Sequence, residues 1–167
     1  MSRRRIQLST GTALLLLMLV PQVARAQKAI ILIRHAERVD SSTDALSKRG
    51  EEWSELLRDR LKNSGITTIY STQFQRTIKT AEPLAKAIGI TPVIIQSTQQ
   101  ADLIDSLRTK HGPNDVVLVV GHSNSVPAIM KELGLKETIT IADDQYGDVF
   151  ILVPKTPEPS LVRLHFE

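Results

Sequence analysis

Residues 28–40 read "KAIILIRHAERVD". An apolar run of strand length, Lys28 to Ile33, ends on Arg34-His35, with Glu37 and Arg38 just beyond. A short continuous apolar run bounded by polar residues marks a strand buried on both faces. The pattern returns at 115–122 in "DVVLVVGH", the strongest strand signal in the chain, which also ends on a histidine. Between and beyond these two runs, strands alternate with helices. The spacing predicts a helix over 46–65, with Trp53, Leu56, Leu57 and Leu61 at helical intervals and Gly65 as its C-cap. A β-branched strand follows over 66–72, then a helix over 75–89 with a bend or restart at Pro83. A short strand over 91–95 precedes an amphipathic helix over 100–112, built on Leu103, Ile104 and Leu107. The helix over 125–134 tolerates Pro127 in its first turn. Residues 148–153 and 160–166 form a closing pair of strands. Such alternation predicts a three-layer α/β/α sandwich with a mostly parallel central sheet.

The N-terminus reads differently. Arg3, Arg4 and Arg5 precede an apolar run from Ala13 to Val20, and Ala24-Arg25-Ala26 follows. A basic start, a short apolar middle and an A-x-A site identify residues 1–26 as a secretory signal peptide cleaved before Gln27. The apolar run is shorter than the roughly 20 residues a spanning helix needs, so no membrane anchor remains after cleavage. Residues 27–167 are then a single exported domain, periplasmic or secreted. Removing the leader's four arginines leaves 17 basic against 18 acidic residues, a net charge of −1 in place of +3. The basic pI thus belongs to the leader, and nucleic acid is not an expected partner. With no cysteine, disulfides and thiolate metal sites are excluded, and stability rests on the core.

In open α/β sheets ligands bind beyond the carboxyl ends of the strands. Three predicted strands end there in reactive side chains: Arg34-His35, Ser71-Thr72 leading to Arg76, and Gly121-His122-Ser123-Asn124. Taken singly, each has a structural reading: a surface ion pair for an arginine, a satisfied hydrogen bond for a histidine. Together they form a cationic cluster that repels itself unless an anion joins it. Phosphate is the matching anion, because a guanidinium fork can engage two phosphoryl oxygens at once. A neutral imidazole can attack phosphorus, and a protonated one can donate to a phosphoryl oxygen. A His35, His122 and Glu37 metal site is the competing constellation, but two nearby arginines oppose a divalent cation. No metal or cofactor is expected.

The chain resembles the histidine phosphatase superfamily, the phosphoglycerate-mutase-like proteins. "LIRHAE" is similar to that family's Arg-His-Gly motif, "YSTQFQRTIKTAEPLA" to its second motif and "VVGHSNSVPAI" to its third. The resemblance implies a phosphoglycerate-mutase-like fold of small branch-1 type. It implies His35 as the nucleophile that becomes phosphohistidine, with Arg34, Arg76 and His122 binding the phosphoryl group.

Two departures stand out. Ala36 occupies the position of the family's glycine, and would be strained if that position needs φ > 0. No carboxylate appears in 96–101, where many relatives carry the general acid. Glu37 and Asp102 are the remaining candidates. Glu37 has an alternative as a salt-bridge partner of Arg34 or Arg38, and Asp102 as a helix-start acid. Ser123 and Asn124 lie at a helix N-terminus, where phosphate is attracted, although Asn124 reads more readily as an N-cap.

The sequence therefore predicts an exported phosphomonoesterase of the histidine acid phosphatase type, working through a phosphohistidine on His35. Its partner is a small-molecule phosphomonoester, with a phosphorylated sugar among the candidates. The alternatives are a non-catalytic phosphate-binding member of the same fold and a phosphohistidine-protein phosphatase.

Overall fold

The computed structural model describes residues 27–166; the expected leader lies outside them. Among the described residues six strands form one sheet: β1 (Ala29–Arg34), β2 (Ile66–Thr72), β3 (Val93–Ile95), β4 (Val116–Gly121), β5 (Asp148–Val153) and β6 (Ser160–His165). Their order is β3-β2-β4-β1-β5-β6. The first four are mutually parallel, while β5 runs antiparallel to both β1 and β6. Four helices connect them: α1 (Lys48–Leu61), α2 (Gln75–Ile88), α3 (Gln100–Thr109) and α4 (Ser125–Glu132).

Strand alternation sorts the core into two layers. Ile31, Ile33, Leu118 and Val120 pack with Leu57 and Leu61 of α1 and with Ala81 and Leu84 of α2. Ile30, Leu32, Val117 and Val119 pack with Leu103 and Leu107 of α3 and with Val126, Ile129 and Met130 of α4. The result is the three-layer sandwich with a mostly parallel sheet. β1 and β4, buried along almost their whole length, are its central strands, as their unbroken apolar runs require.

Several boundaries differ from the sequence reading. Helix α1 starts later, because Ser47 caps it by accepting a hydrogen bond from the Gly50 N–H at 3.0 Å. It ends at Leu61 with Lys62 as its C-cap, so Gly65 is not the cap. Gly65 instead takes φ +77° in the turn into β2. Helix α2 runs through Pro83 without a restart. The carbonyl that Pro83 leaves without a donor belongs to the exposed Lys79, where water can serve it. Ala36 carries no left-handed strain: no non-glycine residue among those described has positive φ. Its N–H donates to Thr80 Oγ1 at 2.9 Å, and its methyl group is buried.

Gly50 is a required glycine. A Cβ there would lie 2.2 Å from the Glu37 carbonyl oxygen, so α1 can press against the segment that follows His35 only without a side chain.

Candidate active site

Register brings the two histidines together. In the β1–β4 pair, Arg34 lies opposite Gly121, and the His35 N–H donates to the Gly121 carbonyl at 2.9 Å. Each strand's next residue is therefore a histidine at the same end of the sheet. Their ring centroids are 5.4 Å apart, edge to face. On the other side of β4, β2 aligns Ser71 with Val120, which sets Thr72 and the start of α2 beside His122.

His35 is 4 % exposed. Its Nδ1 lies 2.8 Å from the Ala36 carbonyl oxygen, which can only accept, so Nδ1 carries the proton and Nε2 keeps its lone pair. Burial pushes its pKa down to about 4 against the opposing Ala36 hydrogen bond, and smaller contributions from His122, Arg34 and Arg76 act in the same direction as burial. Desolvation, more than the adjacent arginine, keeps this imidazole neutral.

A hydroxyl chain sets the tautomer of His122. Thr77 Oγ1 lies 2.8 Å from the Phe74 carbonyl and 3.1 Å from the Thr72 carbonyl, so its single proton goes to a backbone oxygen. The Thr72 hydroxyl, 2.8 Å away, then donates to Thr77, and its oxygen accepts from His122 Nε2 at 3.1 Å. His122 Nδ1 is left as the acceptor facing Arg76 Nη2 at 3.4 Å. Burial lowers the His122 pKa to about 4; Arg76, Arg34 and Arg38 push it the same way, and Asp44 opposes them. Sequence reasoning stopped at Thr72 as a strand end and gave Thr77 no role.

The two arginines are held by different means. All four terminal N–H groups of Arg34 point to neutral oxygens of one loop. Nη1 donates to the Ala142 and Gln145 carbonyls at 2.7 and 2.9 Å, and Nη2 to the Asp143 carbonyl and the Tyr146 hydroxyl at 2.9 and 3.2 Å. The Tyr146 ring lies 4.1 Å from the guanidinium carbon. Burial draws the Arg34 pKa below its ordinary value, although Tyr146 and Asp143 oppose the shift. Arg76 instead donates from Nη1 to Asp44 Oδ1 at 2.6 Å and lies over the Phe74 ring at 4.2 Å. Burial works to raise the Asp44 pKa, but Arg76 and the backbone donors of Gln75 and Arg76 prevail and hold it below the ordinary carboxylate value. The Nε atoms of Arg34, Arg76 and Arg38 are all buried with no hydrogen-bond partner among the described residues. Buried N–H groups on cations, with no acceptor among the described residues, are donors that an anion can satisfy. The sequence reading expected Arg34 to offer a fork; here its fork is committed to the loop and Nε is its free donor.

Among the described residues the side chains of the other candidates make no hydrogen bond to these four side chains. Glu37 Oε1 accepts from Ser47 Oγ at 2.9 Å, and Oε2 lies 4.0 Å from Arg49 Nε. Its ion-pair partner is thus Arg49, in α1, and neither Arg34 nor Arg38. Asp102 is exposed in the first turn of α3. Ser123 is half-buried and Asn124 exposed in the turn after β4. Asn124 makes no side-chain capping bond, because its backbone is already helical (φ −91°, ψ −39°); Ser125 Oγ accepts instead from the His122 N–H at 2.9 Å. Asp44 is the carboxylate that touches the cluster, and no local pattern in the sequence could have singled it out. Glu37 and Tyr146 also line a cavity of about 490 Å³, together with Trp53, Asp144 and His165.

This geometry agrees with what the chain is similar to. Residues 30–98 match the family model described as histidine phosphatase superfamily (branch 1). Among solved structures, the protein histidine phosphatase SixA complexed with tungstate is 17 % identical, with a TM-score of 0.63 over 82 % of this chain and 96 % of that one. Phosphoserine phosphatase from Entamoeba histolytica, in complex with 3-phosphoglyceric acid, is 16 % identical, with a TM-score of 0.63 over 83 % and 97 %. A mycobacterial glucosyl-3-phosphoglycerate phosphatase is 13 % identical, with a TM-score of 0.59 over 83 % and 98 %. At these identities the likeness establishes the phosphoglycerate-mutase-like fold. A search of curated proteins finds no match.

Proposed function

We propose that this histidine phosphatase superfamily protein is a phosphatase that transfers a phosphoryl group from its substrate to Nε2 of His35 and then to water. The observation that carries this reading is the state of His35: buried, neutral, its Nδ1 proton fixed on the Ala36 carbonyl, its ring 5.4 Å from a second imidazole. In the first step Nε2 forms the N–P bond as the ester P–O bond breaks, and the leaving group takes the electron pair. In the second step water forms a P–O bond, the N–P bond breaks and phosphate departs. Arg34 Nε, the free donors of Arg76 and a protonated His122 meet the charge on the equatorial oxygens.

The leaving group must find a proton or depart without one. Asp44 is the carboxylate at the cluster, and its lowered pKa keeps it ionised, so it orients Arg76 and is a poor acid. Glu37 is bonded to Ser47, and Asp102 is exposed on α3. This arrangement favours substrates whose leaving group departs readily. Aryl phosphates qualify, and so does phosphohistidine, which supports a phosphohistidine-protein phosphatase as the second reading.

A panel of aryl, alkyl and sugar phosphates and phosphohistidine tests the proposal, with rapid alkaline quenching to preserve an N–P bond. The expected result is a steep fall in rate with leaving-group basicity and a label on His35. His35→Ala should lose both label and turnover by roughly a thousandfold or more. Substantial turnover by His35→Ala would mean that water attacks directly.

The basic, apolar and A-x-A pattern of residues 1–26 supports export of this enzyme. Mass spectrometry of the protein from its natural host should give Gln27 as the first residue. An intact Met1 leader would overturn export.

A further inference from the structure

No carboxylate near the two histidines is placed to give up a proton: Asp44 is held ionised on Arg76, and Glu37 is bonded to Ser47. The loop that secures Arg34 brings a different proton donor. β5 runs antiparallel to β1, with Val149 opposite Ile33, so the residues just before β5 lie alongside those just after β1. Tyr146 is one of them and is half-buried. Its ring centroid lies 6.1 Å from that of His35 and 4.1 Å from the Arg34 guanidinium carbon.

The Tyr146 oxygen accepts from Arg34 Nη2 at 3.2 Å. That bond uses a lone pair and leaves the O–H free to donate, and among the described residues nothing accepts its proton. Nε and Nη2 are neighbours on one planar fork, and Nε is the buried donor without a partner. An oxyanion taken by Nε therefore sits beside the phenol. Tyr146 also lines the cavity of about 490 Å³, which offers room for the body of an ester.

The chemistry of a phenol decides which leaving groups it can serve. Phenols of the tyrosine type ordinarily ionise near pH ~10, so they keep their proton at neutral pH. An alkyl or sugar ester releases an alkoxide, a far stronger base than a phenolate, and takes that proton downhill. An aryl ester with an acidic phenol as its leaving group gains little from the transfer. The Arg34 N–H already on the phenol oxygen meets the negative charge that the departing proton leaves there.

We propose that Tyr146 is the proton donor to the leaving oxygen of alkyl phosphate esters, sugar phosphates among them. This rests on the phosphatase reading and adds a catalytic residue to it. As Nε2 of His35 forms the N–P bond, the ester P–O bond breaks and its electron pair goes to the leaving oxygen. That oxygen takes the Tyr146 proton, and the alcohol departs. In the second step the phenolate takes a proton from the attacking water, which restores Tyr146. The steep fall in rate with leaving-group basicity then holds among aryl esters and levels off among alkyl ones.

A leaving-group series on the full chain tests this, with substituted phenyl phosphates, trifluoroethyl phosphate and ethyl phosphate as substrates, kcat/KM as the readout and thermal melts alongside. In the parent, log kcat/KM should fall steeply across the phenyl esters and flatten across the alkyl ones. Tyr146→Phe keeps the ring on Arg34 and removes only the hydroxyl. It should lose about a hundredfold or more on the alkyl esters and only about threefold on p-nitrophenyl phosphate, which turns the plot into one steep line. A parent plot that stays steep through the alkyl esters would overturn the inference, whether or not the variant folds, and leave the phosphatase reading intact. Equal losses on aryl and alkyl esters would overturn it too, and would make Tyr146 a positioning residue for Arg34. A parent that hydrolyses none of these esters would instead refute the phosphatase reading itself.

Discussion

Arg34 and Arg76 enter the same site from opposite sides of β4 and are secured in opposite ways. Arg34 spends four N–H groups on uncharged oxygens of residues 142–146 and keeps its charge unmatched. Arg76 keeps more of its donors free but shares its charge with Asp44. One is a fixed charge with a single spare N–H. The other is a neutralised donor set that can turn toward a ligand. On the phosphatase reading the contrast separates two jobs that a sequence motif merges: Arg34 holds the fold of the site together, and Arg76 offers its donors to the substrate. A buried cation bonded to loop carbonyls stabilises the loop as much as the ligand.

Alanine at each position gives the largest effect and can break that comparison. Arg34→Ala and Arg76→Ala should both reduce kcat/KM by roughly a hundredfold or more, since each removes a phosphoryl donor. Their stabilities should diverge. Arg34→Ala leaves the 142–146 carbonyls without donors and should cost about 2–4 kcal/mol, a drop of roughly 10 °C in melting temperature. Arg76→Ala leaves Asp44, whose side chain is 36 % exposed and can be served by water, and should cost about 1 kcal/mol. Thermal melts measured beside turnover decide it. Equal losses of stability would mean that both arginines are structural. Arg76→Lys should recover little activity, because an ammonium cannot donate to Asp44, His122 and phosphate in one plane.

The same distinction explains what could be read from the sequence. The four strand-end residues were legible because apolar runs of strand length stop abruptly on them, and because alternating strands and helices place such ends on one rim. Asp44 was not legible as a neighbour of Arg76, because an arch closed between Arg38 and Leu46 leaves no periodic trace. Tyr146 and the loop carbonyls around Arg34 lie more than 100 residues from it, and backbone acceptors have no side-chain signature. The local rules that misled were those that the fold overrides. Pro83 stays within α2, Ala36 sits in ordinary backbone, and Asn124 leaves the hydroxyl role at the start of α4 to Ser125. Glu37, two residues beyond the proposed nucleophile, is drawn to Ser47 because Gly50 lets α1 approach it so closely.

The smallest expected effect sharpens the comparison at the level of the two histidines. His35 has its proton-bearing Nδ1 committed to a carbonyl, whereas His122 presents an unprotonated Nδ1 beside Arg76. A bound dianion favours the cationic form of either imidazole; on the phosphatase reading the attacking Nε2 of His35 faces the central atom and His122 faces the oxygens, so the larger rise in pKa is expected at His122. Both free values are about 4. The sign follows from those values. Between the raised bound value and about 4, the complex holds more protons than the free site, so affinity increases as pH falls through that window. Below about 4 the free site is protonated too, and the dependence flattens. Above the bound value there is no uptake and again no slope. Sulfate is the useful probe, because it keeps both charges throughout the range. Its affinity should rise by up to about tenfold per pH unit on the acid side of the bound value, with one proton taken up per anion. His122→Gln should lose most of that dependence, while His35→Gln should retain it. The free protein supplies an internal control. Unfolded histidine takes its proton near 6.5 and the folded pair near 4, so stability should decline as pH falls between those values, and sulfate should offset part of the decline. If His35→Gln abolishes proton uptake and His122→Gln does not, the acid and the nucleophile have been assigned to the wrong imidazoles, and the contrast between the Arg34 and Arg76 sides of the site fails with them.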